Sequence, residues 1–315
     1  MRSKLKNNID VRGYVFNHNL EKKISGATSK NPGTEFIRGV LNVATDKEAI
    51  NVVPVNFSYV TKSYKNGNPN PTYTLLEQII EENNVYEVNG DKALKVRITG
   101  DIENNDFVTR DGSMASPKRI RGGFVHVETN DIDIAGCAKF EADMLIESYT
   151  EMEVEDGDSY GRLSGFVFNF RNDFVAVDFN IRSQSGMKYF EKADISVKQP
   201  MFTKVWGDIV STTIENRVEI ESAFGAPTVK VTPRNLRSWD VIGAATEPYE
   251  ICEGNDDGGD LNEKEIADGK ANRAAQLDEV RRRDEERKNN QDNAFAASTS
   301  KVSSQSPTSD IDYKF

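Results

Sequence analysis

Apolar and polar residues alternate along most of residues 9–60. The stretches "DVRGYVFNHNLEKKI", "EFIRGVLNVAT" and "AINVVPVNFSYVTKSY" each carry the two-residue period of a half-buried strand, rich in Val, Tyr and Phe. The polar turn "DKE" joins the last two. "KNGNPNPT" then gathers Asn, Gly and Pro and predicts a loop. In "TYTLLEQIIEENN" the residues Leu75, Leu76, Ile79 and Ile80 recur at helical spacing, with Thr72 or Thr74 placed to cap the start. "ALKVRITGDI" restores the alternation, "ENNDFVTRDGSMASPK" predicts a long loop, and "RIRGGFVHVET" predicts a fifth strand. Three strands, a helix and two strands is the order of an OB-fold barrel, whose mid-strand face and loops bind oligonucleotides.

The pattern returns further along. "FIRGVLNVATDKEAINVVPVNFSYV" can be laid beside "RLSGFVFNFRNDFVAVDFNIRS": a Gly, an alternating run containing Asn, a polar turn, and a second alternating run. "CAKFEADMLIESYTEMEVEDG" supplies a first strand before it, and "GMKYFEKADI", "MFTKVWGDIV", "RVEIESAFG" and "TVKVTPRNLRSWDVIGA" follow as further strands. No convincing helix interrupts this second copy. The expectation is a mainly β chain with two OB-like barrels in tandem, spanning 1–130 and 131–252. Two unrelated β domains and one continuous sandwich stand as the competing arrangements.

From about Glu253 the pattern dissolves. "EGNDDGGD" reads as a flexible acidic linker, and "LNEKEIADGKANRAAQLDEVRRRDEERKNN" as a charged helix with Glu and Arg spaced for i,i+4 pairs. Its apolar residues Leu261, Ile266, Leu277 and Val280 do not sustain a heptad, so a lone solvated helix is expected. "AFAASTSKVSSQSPTS" is a low-complexity spacer and "SDIDYKF" closes the chain. Residues 253–315 thus form a linker, a helix and a disordered acidic tail.

Charge changes the picture only when divided by region. The 315 residues carry a net charge of -11. Residues 1–130 hold 18 Lys and Arg against 15 Asp and Glu, residues 131–252 hold 12 against 21, and residues 253–315 hold 10 against 15. Only the first segment is polyanion-friendly on average. No apolar run approaches the roughly 20 residues needed to span a bilayer, and the basic start is followed by no apolar stretch of a signal peptide. Cys137 and Cys252 match no zinc or redox spacing. A soluble protein of a reducing, cytoplasmic compartment is expected, without cofactor or membrane contact.

The catalytic inventory is thin. His18 and His126 both sit in strand patterns, and no phosphate-binding, metalloprotease or nucleophile-elbow motif is present. "EMEVEDGDSYG" collects carboxylates, but its spacing is that of a solvated turn and not of a calcium loop. No enzyme is expected. The binding inventory is richer, because single strands are held by cations along the backbone and by rings that stack on bases. Arg12 and Tyr14 lie on the first strand, Arg38 on the second, and Tyr59 on the third, which runs into Lys62, Tyr64 and Lys65. The long loop and its exit carry Phe107, Arg110, Lys118, Arg119, Arg121 and, after two glycines, Phe124. Phe16 and Phe57 read equally well as core, and Trp206 and Trp239 as core.

At this point the chain resembles the single-stranded DNA-binding proteins of bacteria and their phages, in which an OB-fold core precedes a flexible linker and an acidic tip ending in Phe. In "SDIDYKF", Asp310 and Asp312 match the acidic positions and Phe315 the terminal ring; Lys314 stands where that tip usually has Pro. The resemblance implies a partner-docking tip of Asp310, Ile311, Asp312, Tyr313 and Phe315 that recruits replication, recombination and repair proteins and competes with DNA for the basic groove. Two barrels in one chain look like a phage version working as a monomer or low-order homo-oligomer in the host-cell cytoplasm. A viral structural or assembly protein built of β domains is the reading from a different class.

Overall fold

The computed structural model describes residues 5–131, 137–153, 159–220, 228–255 and 259–302, with side-chain detail outside 213–235 and 290–302. Strands β1 (Asn7–His18), β2 (Glu21–Ile24), β3 (Glu35–Ala44) and β4 (Val52–Thr61) come first. Then follow helix α1 (Pro71–Glu82), the short α2 (Tyr86–Asn89), β5 (Lys95–Asn104), the small hairpin of β6 (Phe107–Val108) and β7 (Met114–Ala115), and β8 (Lys118–Val127). β1 pairs antiparallel with both β3 and β5, β3 with β4, and β5 with β8. The circle closes where β4 and β8 run parallel, with Val55 opposite Ile120. A five-stranded barrel with this order is an OB-fold.

Alternation explains the closure. Val11, Val15, Ile37, Leu41, Val43, Val55, Ile98 and Ile102 point inward and are almost fully buried. Where β1 crosses β3, a Cβ on Gly13 would lie 2.0 Å from the Ala44 carbonyl oxygen, so only glycine lets the strands approach there. α1 plugs the barrel with Tyr73, Leu76 and Ile79. Its cap is Asn70, which accepts from the Thr72 N–H at 3.1 Å, with Pro71 in the first turn. The threonines expected to cap lie inside the helix instead, because Pro in the first turn needs no N–H partner.

The second barrel uses β9 (Ala138–Met152), β10 (Tyr160–Phe168), β11 (Phe174–Ile181), β12 (Met201–Ile220) and β13 (Thr228–Ala244). The order repeats: β9 pairs with β10 and β12, β10 with β11, β12 with β13, and β11 runs parallel to β13 at Asn180 and Asp240. A helix fills the same place as α1. It is α3 (Gln184–Lys192), capped by Ser183, with Met187 and Phe190 buried. This corrects the strand expected over "GMKYFEKADI". The segment is too short to show a long helical period, and its two buried residues three apart are what fix it.

The barrels join through their first strands: β1 and β9 pair antiparallel, with Asn7 opposite Ala142 and Val11 opposite Ala138. Side chains finish the joint. The Asn104 amide donates to the Ala176 carbonyl at 2.8 Å and accepts from its N–H at 2.9 Å. Asn51 does the same for β12, accepting from the Ser211 N–H and donating to the Ile209 carbonyl.

Beyond β14 (Ile251–Cys252) and β15 (Leu261–Asn262) runs α4 (Glu263–Val302). A lone solvated helix was the expectation; its beginning is docked. Leu261 and Ile266 bury against Phe168, Phe174 and Phe202 of the second barrel. Arg273 then grips Asp106 beside the β6–β7 hairpin with two hydrogen bonds of 2.6 Å, both side chains largely buried. Burial alone would raise the Asp106 pKa; the Arg273 and Ser116 hydrogen bonds outweigh it and hold the carboxyl below its ordinary value. Farther along, α4 is laced by exposed Arg–Asp and Arg–Glu pairs at i,i+3 and i,i+4. The acidic tip, 310–315, lies outside the described residues.

Candidate nucleic-acid interface

In an OB barrel the exposed face of the second and third strands, together with the first and fourth loops, receives the ligand. Here that face is β3 and β4, where Val40 and Asn42 of β3 and Pro54 and Asn56 of β4 turn outward by alternation. Two adjoining recesses of about 470 and 370 Å³ open over it and share Asn19, Val40, Asn56 and Arg119. Their near end holds Arg38 and Glu21, and their far end the hairpin base residues Asn105 and Pro117. The facing wall comes from the second barrel: Ile209, Val210, Ser211, Arg237 and Trp239.

Four cations border this groove, and three are held by carboxylates. Lys118 pairs with Asp178 at 3.0 Å and Arg119 with Glu103 at 2.8 Å, while Arg38 stands a looser 3.9 Å from Glu21. Among the described residues, Arg237 has no carboxylate within ion-pair distance. A second Arg119 N–H donates to the Asn105 amide oxygen at 3.0 Å, which ties the groove arginine to the hairpin base. Lys118 also rests 6.0 Å from the Trp239 ring. Such pairing fixes the direction of each guanidinium fork while leaving other N–H groups open, an arrangement suited to planar bidentate recognition of phosphate. Among the described residues no group of His, Cys, Asp or Glu converges as a metal site, and no helix is long and apolar enough to cross a membrane.

The YorF family model matches residues 6–283, which spans both barrels and the docked part of α4. The chain belongs to the YorF family. Two solved structures of the single-stranded DNA binding protein from Thermus aquaticus are similar to this YorF chain at 12% identity. A deletion mutant covers 77% of this chain and 94% of its own with a TM-score of 0.44; the wild-type protein covers 77% and 93% with 0.43. The strand pairing, and not this likeness, carries the fold. No curated protein matches the chain.

Within this YorF chain the residues singled out by sequence separate into several places. Arg38, Lys118 and Arg119 come together in the groove. Lys118, Arg119 and Arg121 stand on strand β8, which begins at Lys118, one residue before the strand expected from Arg119, because the loop ends at Pro117. Arg121 and Phe124 face a different cleft, described below, where a hydrogen bond from Arg121 to Asp101 raises the guanidinium pKa. Phe107 and Arg110 are exposed on the β6–β7 hairpin. Tyr59, Lys62, Tyr64 and Lys65 form a separate exposed patch where β4 runs toward α1; Lys62 is paired with Glu35 at 2.7 Å, and Tyr59 meets Phe36 at 4.5 Å. Arg12 lies on the outside of β1, paired with Asp10 at 2.9 Å.

Two aromatic assignments change. Tyr14 is only 7% exposed, packed on Ala44 and Ala93 with Tyr86 at 5.7 Å, so no open ring face remains for a base. Its hydroxyl is the only polar atom, and α2 covers the strand face that alternation alone assigns to solvent. Trp206, expected in the core, is 38% exposed, whereas Trp239 is buried as expected. The sequence reading missed Arg237 and the amides Asn19, Asn42 and Asn56. Arg237 sits in the acidic half, where regional charge hides a local cation; the one available signal was its place beside Trp239 in "NLRSW".

Proposed function

We propose that this chain binds single-stranded DNA without strong sequence preference, as a non-enzymatic protein of DNA replication, recombination or repair. The supporting observation is the groove over β3 and β4, the ligand face of its barrel class, bordered by Arg38, Lys118, Arg119 and Arg237 and floored by amides and small apolar surface. Cations follow the backbone, and the amides give the bases contacts that any sequence can use. In this reading 1–130 is the binding unit, 131–252 supplies the groove's facing wall, and 253–315 is brace and tether. The tether carries Asp310, Ile311, Asp312, Tyr313 and Phe315 as the peptide that recruits partner proteins.

Fluorescence anisotropy of labelled oligo-dT over a salt series tests this, with duplex as competitor and a chain ending at Val302 alongside. Tight binding that ignores duplex and falls as salt rises is expected, since bound phosphates release counterions. The shortened chain should bind more tightly if the acidic tail competes for the groove. A flat salt response or equal competition by duplex would sink the proposal and favour a particle-assembly role.

A further inference from the structure

Exposed rings and cations also gather away from the groove on β3 and β4. They lie along the seam where β1 and β5 meet β9, β12 and the β10–β11 turn. Two clefts of about 580 and 670 Å³ run there and share Asn8, Thr99 and Gly100. Three large rings stand open in or beside them: Phe124 at 57% exposure, Phe170 at 53% and Trp206 at 38%. Isolated exposed rings are ordinary; three along one seam are not.

Each ring has cations beside it. The Arg121 and Arg171 guanidiniums lie 5.5 and 5.0 Å from the Phe170 centroid. Arg97, Lys139 and Lys204 line the same cleft as Trp206. Some of this charge is answered, Arg97 by Asp10 and Lys204 by Glu141. Lys139 and Arg171 have no carboxylate within ion-pair distance among the described residues. β5 and β8 approach closely beneath the seam: a Cβ on Gly100 would lie 2.1 Å from the Arg121 carbonyl oxygen. Trp206 lies over Gly243, where a Cβ would come within 2.5 Å of the indole, so one face is seated and the other open. A protein-docking patch joins ring to ring and sheds charge at its centre. Here cation alternates with ring, which fits a polyanion carrying flat bases.

We propose that the seam is a second track for the same nucleic acid, with Phe124, Phe170 and Trp206 as stacking platforms and Arg97, Arg121 and Lys139 on the phosphates. The inference rests on the single-stranded DNA reading and extends it: the strand crosses both barrels, and the acidic second barrel contributes through its local cations. A second copy of this chain is the competing occupant.

The chain's two tryptophans make the test direct, because Trp239 lines the groove and Trp206 the seam. Trp239→Phe leaves Trp206 as sole reporter, and Trp206→Phe leaves Trp239. Each full-length variant is titrated with oligo-dT of about 8 and about 30 nucleotides, lengths chosen around the ~4–16 nucleotides one OB barrel covers. The short strand should change Trp239 emission alone, and the long strand both. Phe124→Ala with Phe170→Ala should weaken binding of the long strand roughly 5- to 150-fold per lost stack and leave the short strand unchanged. A long strand that binds and moves Trp239 but not Trp206, with the double variant at wild-type affinity, overturns the second track and leaves the proposed function standing. No binding by any measure overturns both. Trp206 emission that follows protein concentration without DNA assigns the seam to a contact between copies and also overturns the proposal.

Discussion

The two barrels share a pairing diagram and differ in what they present. At the parallel closure, Asn56 of the first barrel stands opposite Arg121, and Asn180 of the second stands opposite Asp240. Two residues earlier on the same strands come Arg119 and Ser238. One fifth strand thus carries two arginines there, the other a buried serine and an aspartate that itself pairs with Arg182 at 3.1 Å. Inward positions are apolar in both and settle the closure. Outward positions are less bound by the closure, so the first barrel brings Arg38, Lys118 and Arg119 to the groove while the second brings Trp239 and Arg237.

The sharpest way to break this division of labour is to cut the link between the halves. Arg273→Leu leaves Asp106 charged and buried without its partner, and urea unfolding should lose about 3–5 kcal/mol. The same pair sets a pH signature. The folded Asp106 pKa lies below its ordinary 3.8, so its contribution is complete above that value and is lost as pH falls through the folded pKa. Asp106→Asn should flatten acid unfolding in that window; an unchanged acid midpoint would show that the pair contributes little.

Next in size is charge reversal in the groove. Arg38→Glu with Arg119→Glu should reduce the slope of log affinity against log salt by about 1.4, at ~0.7 per phosphate contact on single strands. Reversing Arg162 and Arg182, on the matching face of the second barrel, should leave the slope where it was. Equal losses in the two variants would abolish the distinction between the barrels.

The smallest effect belongs to His18, at the end of β1 against α1. Burial lowers its pKa below the ordinary 6.5, and the nearby Ile79 backbone only partly opposes this. Its contribution is complete above pH 6.5 and lost as pH falls through the folded value. His18→Gln should make stability less pH-dependent between neutral pH and about pH 5, a change confined to the first barrel.

Strand order was legible because period-two alternation reports which side chains face a core, and both barrels obey it. α3 was hidden because nine residues give too few turns for a helical period. The docking of α4 was hidden because Leu261 and Ile266 lie on one short stretch of an otherwise charged segment, and only the facing rings show what they cover. Among site residues, Arg38 and Arg119 were readable as cations on strands, and Lys118 as a cation at a loop's end. Arg237 and Trp206 were not, since their exposure depends on how one barrel leans on the other. Tyr14 failed because α2, within the first barrel, covers a strand face that alternation assigns to solvent.

The Arg273–Asp106 pair has a consequence for how the molecule is made. Its partners are 167 residues apart in sequence, so a chain emerging in order completes both barrels before the arginine that steadies the β6–β7 hairpin exists. Local strand pairing forms early and such distant contacts last. A product cut short ahead of Arg273 therefore lacks the partner that answers Asp106, and the base of the β6–β7 hairpin is left with an unpaired carboxylate.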